Sequence, residues 1–293
     1  MDRELEILKY AHYYEKLTVG EDSLYMMVND QIGKDECLFG FCRLGENPDR
    51  WQELFSLLEK KAVKKGCRII TGPVNYTSWM SYRWTISNFD LKLFPDCDNP
   101  PYYPDYIRKL GYSERYTYRS ADIAIENPLY IIGRDIYEEK LREGVKFLRL
   151  RGEQAYSHCR EVYDISIDAF AGSYLYSEIP FEAFERIYTV WTRQVNVDLF
   201  IAYIDGKAVG YVMGYEHDGR YISKTSAVLK KMQENKIYLA LLYAGCRYVR
   251  ETLGYDNMIY HFQCEQRATF RRFDETIESN EKRYAVFCKE TIK

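Results

Sequence analysis

Residues 197–264 read VDLFIAYIDGKAVGYVMGYEHDGRYISKTSAVLKKMQENKIYLALLYAGCRYVRETLGYDNMIYHFQC. Three β-rich runs, LFIAYI, KAVGYVMGYE and RYISKTSAVL, are separated by Asp205-Gly206 and Asp218-Gly219. An Asp-Gly pair between such runs signals a tight hairpin, because both residues tolerate positive φ. The segment KIYLALLYAGCRYV is apolar around most of its circumference, which predicts a buried helix. DNMIYHFQC then returns as a strand. A meander, a crossover helix and a further strand place that last strand parallel to the third.

Working outward, VKFLRLR (145–151) predicts a strand. Two helical stripes follow, one through Cys159, Val162, Tyr163, Ser166 and Ala169–Phe170, the other through Phe181, Phe184, Ile187–Tyr188 and Trp191. Beyond the quoted stretch, QRATFRRF predicts a short helix and RYAVFCKE a closing strand. Residues 145–290 thus give β-α-α-β-β-β-α-β-α-β. Residues 23–125 give a shorter version, β-β-α-β, an irregular stretch, then α-β. Its helix opens with Asn47-Pro48-Asp49, runs along Trp51, Leu54, Leu58 and Ala62, and ends at Gly66. Asn75 to Asn99 is irregular, with a strand around RWTIS. Residues 2–17 predict a helix with Leu5, Leu8 and Ala11–His12 on one side. Residues 127–144 form a charged helical connector without Gly/Ser character, so the halves should pack on each other. The expected organisation is residues 1–126, a connector at 127–144, and residues 145–293.

Composition narrows the function classes. The 293 residues carry 41 Lys and Arg against 44 Asp and Glu, a formal net charge of −3, and no basic excess recommends nucleic acid. The clusters Lys60, Lys61, Lys64, Lys65 and Arg267, Arg271, Arg272 are short, and the first reads as a solvated helix end. Eight cysteines lack any C-x-x-C spacing, four histidines lack ligand spacing, and no metal is expected. The start of the chain is no signal peptide and no apolar run suits a membrane span, so a cytoplasmic, thiol-reduced protein is expected. The 29 tyrosines suit core edges, interfaces and ligand clefts, and fit a compositional habit equally well.

The element order and the SAVLKKMQENKIYLALL register resemble the GNAT superfamily of acyl-CoA N-acyltransferases. The resemblance implies an α/β fold (an α+β mixed sheet) of two tandem GNAT-like domains, each a mostly antiparallel sheet flanked by helices. In that family a Q/R-x-x-G-x-G/A loop opens the helix after the fourth strand, and its backbone N–H groups receive the pyrophosphate of CoA. Here Gln233 takes the first motif position, while Lys236 and Tyr238 replace the glycines. Lys230, Lys231 and Lys236 offer compensating charge, or are simply solvated. A second signature, Asn, Ala and an acid Tyr after the next strand, reads Glu265, Ala268 and Arg272 here. In the first half, NPPYYPDYIRKLGY (99–112) resembles the late pattern of the same family. Arg43, Glu46 and Pro48 stand in its pyrophosphate loop. That half is therefore expected to have lost CoA binding and to help form the acceptor side or an interface.

The resemblance implies transfer of an acyl group, from acetyl-CoA or another acyl-CoA, to a small-molecule amine by direct attack. Backbone N–H groups near Ala227, Val228 and Leu229 would polarise the carbonyl. Glu216 or Glu265 would act as base. Tyr238, Tyr243 or Tyr260 would serve as acid. The bland readings are a solvated turn carboxylate at Glu216 and a salt bridge from Glu265 to Arg267 or Arg271. Cys264 and His261 lie three apart in a strand and face opposite sides, which argues against a thiol dyad. Cys246 reads as inert core. Glu178–Glu185 reads as a helix face. The alternatives are a catalytically degenerate GNAT scaffold acting as a small-molecule or protein-binding module, and transfer from a non-CoA donor such as an aminoacyl-tRNA, against which the near-neutral charge argues. A homodimer is compatible with the sequence.

Overall fold

The computed structural model describes residues 3–266 and 277–291. Twelve strands form one mixed sheet among the described residues. They are β1 (Tyr13–Val19), β2 (Asp22–Val28), β3 (Glu36–Arg43), β4 (Ile69–Gly72), β5 (Trp84–Thr85) and β6 (Ser113–Ala124). The remainder are β7 (Lys146–Arg151), β8 (Asp198–Ile204), β9 (Lys207–His217), β10 (Arg220–Val228), β11 (Asn257–Cys264) and β12 (Ile277–Glu290). Their spatial order is β1-β2-β3-β4-β12-β6-β11-β10-β9-β8-β7, with β5 paired to β12. Only β3–β4 and β10–β11 are parallel. Each of these pairs is joined by a crossover helix, α1 (Pro48–Lys64) or α7 (Ile237–Glu251).

The order has an internal symmetry. β1-β2-β3-β4 read inward from one edge as β8-β9-β10-β11 do from the other side, with β7 outside them. The last strand of each half sits across the middle: β12 pairs with β4, and β6 pairs with β11. The predicted repeat is therefore present, with its closing strands exchanged. The remaining helices are α2 (Tyr102–Lys109), α3 (Pro128–Arg142), α4 (Glu153–Ser157), α5 (Cys159–Phe170) and α6 (Phe181–Thr192).

Apolar faces dictate the layering. In the first half, Trp51, Leu54, Phe55 and Leu58 of α1 lie against Leu24, Met26, Phe39, Ile70 and Phe287, all fully enclosed. Each large side chain so buried is worth about 2–3 kcal/mol of transfer free energy. In the second half, α7 covers Phe200, Val212 and Val228, and α5 and α6 cover the opposite face at Ile201, Tyr211 and Met213. The connector is α3, packed on α7 through Gly133, where a Cβ would meet the Leu239 carbonyl at 2.9 Å.

The N-terminal helix expected over 2–17 is not formed. Arg3–Tyr10 is a 3-10 helix, and Tyr13–Val19 is strand β1, paired to β2 along its whole length from Tyr13↔Val28 to Val19↔Asp22. The turn at Gly20, with φ +59°, makes this hairpin, and sheet pairing overrides the weak helical stripe. The helix expected at QRATFRRF, including Arg267, Ala268, Arg271 and Arg272, lies outside the described residues.

Asn47 caps α1 as the sequence implies: its Oδ1 accepts the N–H of Asp49 at 3.1 Å and of Arg50 at 3.2 Å. Asn47→Ala should cost about 1 kcal/mol in a denaturant titration, and Asn47→Asp should cost far less.

Candidate functional site

β10 and β11 pair only at Ile222↔Ile259 and Ser223↔Tyr260, and then part. Both strands are distorted at that point. Lys224 is a bulge in β10 against β9, and His261–Phe262 interrupt the β11–β6 register, with Phe262 at φ +57°. Bulges bend a strand and end its pairing, so the two carbon-chain paths open into a wedge. The Leu229 N–H bonds to the Val209 carbonyl, which turns it toward β9. Alternation along the strand then aims the N–H groups of Ser226 and Val228 at the wedge. At its open end stands the first turn of α7. Lys236 holds a left-handed conformation there (φ 58°, ψ 15°), and no side chain caps the helix.

The matching place in the first half is closed by its own side chains. β3 and β4 pair at Glu36↔Ile69, Cys37↔Ile70 and Leu38↔Thr71. Beyond that, Asn75 Oδ1 accepts the Phe41 N–H at 2.7 Å, and the tip of α1 is capped by Asn47. The donors that an incoming carbonyl or phosphate needs are already satisfied there. In the second half no side chain caps α7, and the Ser226 and Val228 amides face away from β9.

The expected site residues are distributed as follows. Ala227 and Val228 are buried on β10, Leu229 is half-buried at its end, and Gln233 and Lys236 are exposed on the loop before α7. Lys230 is occupied elsewhere: its N–H donates to Asp168 and its Nζ to the Ala171 carbonyl. Tyr238 is half-buried. Burial pushes its phenol up to about 12, and a hydrogen bond to Ser226 partly offsets this. It also raises the buried Tyr260 electrostatically.

Glu216 accepts from Arg151 Nη2 at 3.0 Å and from the Tyr255 hydroxyl at 3.2 Å. Glu265 takes Arg283 Nη2 on both oxygens at 3.0 Å. Among the described residues its ion-pair partner is Arg283, and Arg267 and Arg271 lie outside them. Both carboxylates are engaged, and neither lies at the bulges. Tyr260 places its hydroxyl 3.6 Å from Cys246 Sγ, and burial first, then Cys246 and Tyr238, lift its phenol well above the usual range.

The groups that do converge at the two bulges are Lys224, Arg83, Cys97 and His261. Burial, then the Arg83 charge, lowers the Lys224 ammonium to about 7, against a small opposing pull from Cys97. Its Nζ lies 5.0 Å from the centre of the Phe262 ring. His261 is held neutral by burial and by Lys224. Its Nε2 faces the Pro95 carbonyl at 2.9 Å and must carry the proton, so Nδ1 accepts from the Ser120 hydroxyl at 2.7 Å. That locks His261 as a structural group, and no dyad with Cys264 exists. Burial pushes Cys97 up to about 12, so it stays a thiol. Periodicity missed Lys224 and Arg83. The one available signal was a lysine in RYISKTSAV, between positions that go to the core.

No protein-family model matches this chain, and no curated protein matches it. In shape it is similar to a tandem GNAT protein from the clavulanic acid biosynthesis pathway, solved without acetyl-CoA. The TM-score is 0.51 at 11% identity, over 96% of this chain and 84% of that one. The fold is a tandem GNAT fold. Looser likenesses are to a GCN5-related N-acetyltransferase from Kribbella flavida (TM-score 0.49, 10% identity, 97% of this chain and 62% of that one) and to a functionally unknown protein from Staphylococcus epidermidis (0.47, 11%, 95% and 94%). Within the GNAT fold, the wedge between β10 and β11 belongs to the second repeat and the self-capped pair β3–β4 to the first. Among the described residues no three His, Cys, Asp or Glu are grouped to hold a metal ion, and no helix is long and apolar enough to cross a membrane.

Proposed function

We propose that this chain transfers an acyl group from an acyl-CoA to an amine, with the donor in the second repeat and the acceptor entering from the first. The observation that carries this reading is the two-residue pairing of β10 with β11, after which the strands part and the Ser226 and Val228 amides, which face away from β9, lie beside a bulged lysine. When bound, the thioester supplies an activated carbonyl. Lys224, as the neutral amine near pH 7, takes a proton from the acceptor ammonium. The freed amine attacks, and a C–N bond forms. The Ser226 and Val228 N–H groups hold the oxygen that becomes negative. As the C–S bond breaks, the Lys224 ammonium returns its proton to the departing thiolate, and the second nitrogen proton passes to solvent. Lys236 and the uncapped tip of α7 suit a phosphate. This reading reassigns the base from Glu216 and Glu265, which are held in ion pairs, to Lys224. The division into repeats of residues 1–126 and 145–293 about a connector at 127–144 is part of the same proposal.

One observation favours a second reading, a GNAT scaffold that binds without catalysis: Tyr238 stands where the family has glycine and reaches toward Ser226 and Tyr260. Thermal melting with millimolar acetyl-CoA separates the two. At 100 times Kd, linkage adds about 2.7 kcal/mol, and Lys236→Glu should abolish the rise. Tyr238→Ala should enlarge it, by roughly tenfold in affinity, if the ring competes with the pantetheine arm. Absence of any rise in both the wild type and Tyr238→Ala would leave only the binding module.

A further inference from the structure

We propose that the cavity in the first repeat seats a carboxylate of the acceptor, anchored by Arg83. This deepens the acyltransfer reading and rests on it for the word acceptor. The cavity has a volume of about 350 Å³ and is lined by Tyr25, Phe41, Asn75, Tyr82, Arg83 and Asn99, among others. That suits a small molecule with an aromatic or aliphatic body.

Arg83 is only 7% exposed, yet its Nε and Nη1 have no hydrogen-bond partner among the described residues. A guanidinium is permanently charged, and burying it unpaired is costly, so such a group is retained where something else completes it. Its surroundings do not do so. The rings of Tyr82, Phe262 and Tyr118 lie 3.8, 3.9 and 4.4 Å from its central carbon. Three rings cannot share one face of so small a plane, so both faces are covered and the edge remains. Of the nearby anions, Asp96 is taken by Lys282 at 2.6 Å, Asp98, which also lines the cavity, is exposed and lies 3.7 Å from Lys92, and Cys97 stays protonated. The neighbouring Lys224, lowered to about 7 by burial and by Arg83 itself, offers no counter-ion. His261 is neutral. Arg83 is thus the uncompensated charge of this corner, and a planar anion in the plane of the guanidinium would complete its unpaired edge. Carboxylate and phosphate can both meet the fork with two bonds, but only the flat carboxylate stays in its plane, clear of the rings that cover its faces. Lys224 does not line the cavity, but it feels the charge of Arg83 and of Cys97, two residues that do.

The test is titration calorimetry without any acyl-CoA, using L-phenylalanine, phenylacetate, L-phenylalaninamide and inorganic phosphate on the wild type, Arg83→Lys and Arg83→Met. The two carboxylates should bind at least tenfold more tightly than the amide or phosphate. Arg83→Lys should keep part of that preference, and Arg83→Met should lose it. Equal binding of acid and amide, preference for phosphate, or an unchanged preference in Arg83→Met would overturn the proposal, and the wild-type panel alone is decisive should a variant fail to fold. Carboxylate binding without acyl transfer would sink the transferase reading and leave this one standing. Equal turnover of acid and amide acceptors would do the reverse.

Discussion

Lys224→Met should lower kcat/KM for acyl transfer by roughly 10²–10⁴-fold, the usual worth of a positioned general base, while leaving acetyl-CoA binding intact. In the proposed reading the side chain acts on the acceptor, and the backbone donors at Ser226 and Val228 belong to other residues. Wild-type activity should rise with pH through about 7, as the ammonium loses its proton. Arg83 pushes that ammonium downward, so Arg83→Met should move the same limb to higher pH. The lowered pKa also has a sign for stability. Between about 7 and the ordinary value the unfolded chain holds the proton and the folded one does not. Stability should therefore rise with pH across that window. Lys224→Met should raise the melting temperature at pH 6, with the gain fading by pH 10. A variant that lost stability at pH 6 and kept full activity would remove Lys224 from the reaction.

Gly40→Ala should destabilise the protein by more than about 4 kcal/mol, read as loss of folded protein at 37 °C. A Cβ on Gly40 would sit 2.1 Å from the Val74 carbonyl oxygen and 2.6 Å from its carbon, which is backbone and has no rotamer to yield. The position lies in β3, just before Phe41 at φ 48°. It lets the chain after β4 cross close enough for Val74 N–H to reach the Phe39 carbonyl at 2.7 Å and for Asn75 to reach Phe41. Gly72 is held in the same way, with a Cβ 2.4 Å from the Phe39 carbonyl. By contrast, Gly66→Ala meets no atom within 4 Å and suffers only from its φ of +80°, about 1 kcal/mol. Urea titrations of the three variants should keep that order, and a mild Gly40→Ala would contradict the close crossing.

The meander, its Asp-Gly turns and the helix after it were readable because they depend on neighbours in sequence: alternation, turn chemistry and a continuous apolar surface. The Asn47 cap and the α1 stripe were readable for the same reason. The exchange of β6 and β12 was not, since pairing between residues 133 or more apart leaves no local pattern. The strand Tyr13–Val19 was mistaken for helix because Leu5, Leu8 and Ala11 mimic the helical period. At the site, the wedge between β10 and β11 follows from the family resemblance, yet its charged floor does not. Arg83 comes from an irregular loop of the first half and Lys224 from a bulge in the second, and only tertiary packing makes them neighbours. Glu216 and Glu265 were attractive as carboxylates near a cleft. Arg151 and Arg283, which engage them, lie 65 and 18 residues away in sequence.

Amide hydrogen exchange with and without saturating acetyl-CoA reads the central claim at the atoms concerned. Slowed exchange is expected at Ser226 and Val228 and at the first turn of α7, residues 236–239, with residues 41 and 47–50 of the first repeat unchanged. Unaltered exchange at Ser226 and Val228, or slowing confined to the tip of α1, would contradict a donor site between β10 and β11.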